Sequence, residues 1–312
     1  MADYDTGDYD SYIHSTYQPE HTVTNWYHEY TDNITIFIRN LTNEIVNDPE
    51  FIIPFNCNKL ICFSYHNYWD YNENPSVFDI NNLFAKMTGL KHISFSFYLK
   101  SQITMLPVSM EKIECMYQNI ENLEKYTNLK HYHFENTEEI FVIPQFADGL
   151  ETIRIKCKSI DGSFCSLPQS VKEINLQIEQ LNCSLDMWPS NLQKLNITIT
   201  NTTNGHTIEM LPHSLESFSF MSSSYLHYID FPPYLKLLHF LTHDINSPYI
   251  VNIPDSVINY AINYKSQQEI DRLPKKCKTF TYIGCPPDIY NNLRKNVKGV
   301  AFYTSRIKNF SY

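Results

Sequence analysis

The residues best able to do chemistry in this chain are histidines and carboxylates at strand-like spacing. His131 and His133 are separated by one residue, which puts both side chains on one face of a strand. Glu114 lies 19 residues before His133 and Glu173 lies 40 residues after it. Two imidazoles and two carboxylates form a ligand set for a divalent cation, but Arg154 and Lys156 flank the pair and would repel one. His239 and His243 have the four-residue spacing of a zinc-binding helix, yet the segment alternates as a strand does, so the two fall on a strand and on the loop after it. No H-E-x-x-H, G-x-S-x-G or P-loop phrase occurs. Ser109, Ser170, Ser214 and Ser256 recur at one phase. A catalytic serine is singular; repeated ones serve structure, with hydroxyls bonding backbone in the turn before a strand. No catalytic, metal or cofactor site is expected, and the chain is read as non-enzymatic.

That shared phase belongs to a longer phrase, clearest at Leu211, Pro212, Ser214, Leu215, Phe218 and Phe220. Its anchor, Leu215 in this copy, recurs at Leu90, Met110, Leu129, Leu150, Val171, Leu192, Leu235, Val257, Cys277 and Val297, at intervals of 19–23 residues. A period near 20 with L-x-x-L-x-L spacing predicts a leucine-rich solenoid with one strand per repeat. Alternation points Ile153 and Ile155 inward and Thr152, Arg154 and Lys156 outward. Proline precedes most strands, at Pro107, Pro168, Pro189, Pro212, Pro232, Pro254 and Pro274. Proline fixes φ and disfavours helix in the residue before it. The expected fold is therefore a parallel sheet on the concave face, an extended or turn-rich convex side with little helix, and non-repeat caps at both ends.

Four segments follow. Residues 1–20 are an acidic, tyrosine-rich stretch without apolar periodicity, expected to be a disordered tail. Residues 21–89 read as an N-terminal cap with a possible early repeat at Leu60 and a short helix after Asp79. Residues 90–283 are the repeats, and 284–312 hold a last repeat and a C-terminal cap with a short helix over 286–296.

The phrase at Leu167–Leu176, Leu211–Phe220 and Ile253–Ile262 resembles the short leucine-rich repeats of giant DNA viruses (mimivirus-like) and social amoebae, including the FNIP-like group, and also those of bacterial type III effectors. The likeness spans residues 87–303. The resemblance implies a protein-binding scaffold. The alternatives are a ubiquitin-ligase adaptor with an F-box-like unit in residues 21–89, or a structural component of a virion.

If the outward face binds a protein, the candidate residues are Glu114, His131, His133, Arg154, Lys156, Asn175, Asn196 and His239. The central outward file is expected to run Ser94, Glu114, His133, Arg154, Asn175, Asn196, Ser219, His239, Ala261, Thr281 and Ala301, with His131 and Lys156 beside it, the face being charged in its first half and neutral to apolar in its second. The formal net charge is -10. Residues 1–38 hold seven carboxylates and no Lys or Arg, which leaves -3 for the rest. An acidic chain without a basic stripe argues against nucleic acid as ligand. The N-terminus lacks the basic and apolar blocks of a signal peptide, and no run of 18 apolar residues occurs. The eight cysteines contain no C-x-x-C pair and are read as reduced thiols of a cytoplasmic protein, of the host if the source is viral.

Overall fold

A computed structural model of the chain describes residues 27–30, 33–39, 57–63, 80–85, 87–95, 103–116, 120–161, 164–181, 187–200, 208, 210–222, 230–242, 253–263, 273–283, 288, 291 and 299–303. Fourteen strands among them form one sheet whose order follows the chain. They are β1 (Tyr27–Tyr30), β2 (Asn33–Arg39), β3 (Cys57–Phe63), β4 (His92–Phe95), β5 (Lys112–Met116), β6 (His131–Val142), β7 (Thr152–Asp161), β8 (Glu173–Leu181), β9 (Lys194–Ile199), β10 (Ser217–Ser222), β11 (Leu237–Thr242), β12 (Asn259–Asn263), β13 (Thr279–Ile283) and β14 (Ala301–Tyr303). Neighbours are parallel from β2 onward. β1 pairs antiparallel with β2, Tyr27 opposite Ile36. Helix in the described part is confined to α1 (Ile80–Ala85), 3-10 turns at Leu123–Lys125 and Phe164–Ser166, and the helical residues Asp288 and Asn291. The protein is a parallel β-solenoid with almost no helix. Parallel neighbours need a return path of about a dozen residues. A 19–23-residue period supplies that and leaves no space for a regular helix.

The core is a set of files running across the strands. The third residue after each anchor points inward, as do Ile113, Tyr132, Ile153, Ile174, Leu195, Phe218, Leu238, Tyr260 and Phe280, all buried. The fifth does the same, with Phe134, Ile155, Leu176, Ile197, Phe220, Phe240 and Tyr282. In the C-terminal repeats this interior is aromatic. Phe220 stacks on Phe240 at 5.6 Å and Phe280 lies 5.3 Å from Tyr282, separations at which rings attract beyond their buried area. The expected inward residues Ile153 and Ile155 are indeed 0% and 2% exposed.

Each turn before a strand closes the same way. The anchor N–H donates to the carbonyl three residues earlier, which belongs to proline in most repeats, as in Leu215 to Pro212 and Val257 to Pro254, and to Met87 for Leu90 and Tyr126 for Leu129. Proline needs no donor there and serves only as acceptor. The next two amides of each repeat both donate to one carbonyl of the preceding repeat. Glu216 and Ser217, for example, share Gln193 O.

The repeated serines act between repeats. Their hydroxyls donate to the anchor carbonyl of the preceding repeat: Ser109 to Leu90 O at 2.7 Å, Ser170 to Leu150 O at 2.8 Å, Ser214 to Leu192 O at 2.7 Å and Ser256 to Leu235 O at 2.7 Å. Asn128 and Asn191 hold the same phase, and their longer side chains reach two residues further back, to Val108 O and Gln169 O, each at 2.9 Å. Gly149 holds it with φ +113, and a Cβ there would lie 3.2 Å from Thr127 O. This is the carbonyl that an asparagine in the next repeat would seek, so at Gly149 the close approach is made by backbone instead.

A second ladder is ionic. The residue after each anchor alternates in sign from Lys91 through Glu111, Lys130 and Glu151 to Lys172. Lys91–Glu111 closes at 2.9 Å, Glu151–Lys172 at 3.5 Å and, further on, Glu216–Lys236 at 2.8 Å. All are exposed, so each contributes at most about 1 kcal/mol. The alternation runs unbroken from Lys91 to Lys172 and is interrupted after it by Gln193 and Ile258.

Two details differ from the sequence reading. Leu60 pairs with Ile93, so it holds the inward third position and the early repeat is anchored three residues sooner, at Cys57. Ala301 pairs with Thr279, and Tyr303 with Thr281. The last repeat is therefore two residues out of the expected phase: Tyr303, not Ala301, continues the central file, and Gly299 with φ +81 takes the place assigned to Val297. A left-handed residue at the turn lets the chain enter the strand later. In the segment 21–89, β1, β2 and β3 join the same sheet as the repeats. The expected tail over 1–20 and the helix cap Asp79 lie outside the described residues.

Candidate functional site

The outward face of the sheet carries the second, fourth and sixth residues after each anchor. Strand pairing aligns the central file as Ser94, Glu114, His133, Arg154, Asn175, Asn196, Ser219, His239, Ala261 and Thr281. The candidate residues Glu114, His133, Arg154, Asn175, Asn196 and His239 thus lie in one line across the strands. His131 and Lys156 flank it on β6 and β7.

The charges of the first half are paired. Glu114 Oε2 lies 3.0 Å from His92 Nε2, and its Oε1 accepts from Lys112 Nζ at 2.6 Å. The His92 contact, opposed by burial and aided by Lys112, holds the Glu114 carboxyl down at about 2. The sequence reading placed His133 beside Glu114. The register does so, but the bond goes to His92 on the strand before, a residue that reading passed over. His133 is held below its ordinary value by burial and by Arg154 and Lys112, against the opposite pull of Glu114 and Glu135. His239 is likewise lowered by burial.

Arg154 Nη2 lies 3.6 Å and Lys194 Nζ 3.8 Å from the two oxygens of Glu173. Lys156 donates to Glu135 at 2.6 Å. Arg154 and Lys156 are therefore partly neutralised in place. No group of three or more potential ligands gathers for a metal among the described residues. Cys115 is fully buried, which pushes its thiol up to about 12; it stays protonated at neutral pH and offers neither a nucleophile nor a metal ligand.

Beyond β9 the face changes. Its outward positions on β10–β13 are Ser217, Ser219, Met221, Leu237, His239, Leu241, Asn259, Ala261, Asn263, Thr279, Thr281 and Ile283. None is Asp, Glu, Lys or Arg, although 19% of the chain is charged. β11 reads Leu-Leu-His-Phe-Leu-Thr, apolar on both faces, a pattern usual for strands covered on both sides. The charge boundary between the halves was visible in the outward files. The pairing within the first half was not, because it depends on which neighbour each side chain turns to.

No protein-family model matches the chain, and no curated protein is similar enough to count as a relative. No helix among the described residues is long and apolar enough to cross a membrane.

Proposed function

We propose that this protein is a non-enzymatic scaffold of the short leucine-rich repeat type that binds another protein on a concave outer sheet face. One observation carries the reading: twelve consecutive outward positions on β10–β13 lack charge. Depletion of charge marks the centre of a protein interface, and a solvated face has no reason to avoid it. The resemblance to giant-virus and amoebal repeat proteins adds a cellular setting, with the partner a host protein in the cytoplasm.

Affinity capture from the native cell tests this, using wild type, Leu237→Asp with Leu241→Asp, and Arg154→Glu with Lys156→Glu. All three should show the same circular dichroism, because the altered side chains face outward. The first double variant should lose a partner that wild type retains, and the second should lose it in a salt-dependent way. An unchanged set of captured proteins in both variants would refute binding through this face.

A further inference from the structure

The two halves of the outer face constrain what can lie on it. The charge-free half covers four strands about 4.8 Å apart and three outward positions about 6.6 Å apart. Its footprint is about 380 Å², under half of the roughly 800 Å² per partner of a stable interface between folded domains. A folded partner or a second copy of this chain would be poorly held on that half alone. An extended segment rising about 3.3 Å per residue crosses it in about six residues.

On the strands next to it, Arg154 of β7 and Lys194 of β9 flank Glu173 of β8, while Lys156 is held by Glu135 of β6 at 2.6 Å and Glu179 lies further along β8. Arg154 and Lys194 share Glu173 at 3.6 and 3.8 Å, and the cations are the outer groups, 51% and 60% exposed against 25% for the glutamate. Positive charge is thus outermost beside the charge-free half, on a chain whose net charge is -10.

We infer that the outer face takes one linear protein segment laid across the strands, with apolar or aromatic residues over β10–β13 and a cluster of Asp or Glu over β7–β9. The inference rests on the scaffold reading above and adds the chemistry of the partner. An uncharged stretch matches a surface that offers nothing to an ion. An acidic stretch matches cations whose single carboxylate is already shared between two of them, and speeds association at low salt.

The test places a photoreactive phenylalanine at Leu241 in one sample of the full chain and at Asn196 in another. Each is irradiated in lysate of the native cell, and the crosslinked peptides are sequenced. Both positions should label one segment of one protein, within about ten residues of each other given the reach of an extended chain. Residues at the Leu241 site should be apolar or aromatic, and several carboxylates should surround the Asn196 site. Arg154→Glu with Lys194→Glu should lower labelling at Leu241 by about tenfold. Labelling of unrelated segments, of a segment without carboxylates, of a second copy, or of this chain's own acidic N-terminal stretch would overturn the assignment of the partner and leave the scaffold reading standing. Absence of labelling at both positions would sink both.

Discussion

Ser214 and Leu192 are joined across 22 residues of chain by a 2.7 Å hydrogen bond from the serine hydroxyl to the leucine carbonyl. The same hydroxyl lies 2.6 Å from Ser190 O, so its single proton is shared between two carbonyls of the preceding repeat. The repeated serine is thus a rung between coils, and the Leu-Pro-x-Ser-Leu phrase describes a contact as much as a turn.

Ser214→Ala should lower stability by about 1 kcal/mol, since it leaves the partly buried Leu192 carbonyl short of a donor. Ser214→Asn should cost less, because Asn191 fills the same phase one repeat earlier and reaches Gln169 O. Urea unfolding midpoints of the two variants check the order; equal losses would mean that the rung is not what stabilises the turn.

Leu195→Asp and Asn196→Asp test the register. Leu195 is 0% exposed, and an unpaired carboxylate there should cost about 3–5 kcal/mol. Asn196 faces outward, and its change should stay within about 0.5 kcal/mol. Thermal unfolding followed by circular dichroism separates them.

Gly149→Ala should destabilise by about 1–3 kcal/mol, because φ +113 is strained for any residue with a Cβ. The new methyl would also press on Thr127 O at 3.2 Å. Ser170 is coupled to this site, since Gly149 N donates to its hydroxyl at 3.0 Å. Denaturant titration of the single and double variants with Ser170→Ala should give a combined loss smaller than the sum of the two.

Glu114 gives an acid-dependent contribution. Its carboxyl is lowered from 4.5 to about 2 by the His92 contact first and by Lys112 against burial. A group depressed in the folded state stabilises fully above its unfolded value, and that contribution fades as pH falls from about 4.5 toward about 2. Unfolding free energy measured over that window should fall less steeply for Glu114→Gln than for wild type. Parallel curves would show that the ion pair does not persist in solution.

Glu151→Lys places a third lysine between Lys130 and Lys172 in the outer ladder. It should cost about 0.5–1 kcal/mol at low salt, with most of the loss recovered at about 1 M salt, where the screening length is near 3 Å. Stability measured at both ionic strengths decides this, and a loss independent of salt would point to packing instead.

The period and alternation of the chain determined a great deal by themselves. Anchors every 19–23 residues leave space for one strand and one short return, so a sequential parallel sheet with almost no helix follows from length alone. Alternation settled that Leu195 points in and Asn196 out, because successive side chains of a strand face opposite ways. The tertiary structure decided everything that depends on stagger between neighbouring repeats. Ser214 bonds a carbonyl 22 residues away. Glu114 turns to His92 rather than His133. The last strand enters two residues later than its spacing suggested, putting Tyr303 opposite Thr281. Periodicity fixes the face on which a side chain lies, but a rotamer chooses among partners on both flanking strands at nearly equal distance. That choice is made by the local twist, the burial and the charges already present, none of which is written at a single position of the sequence.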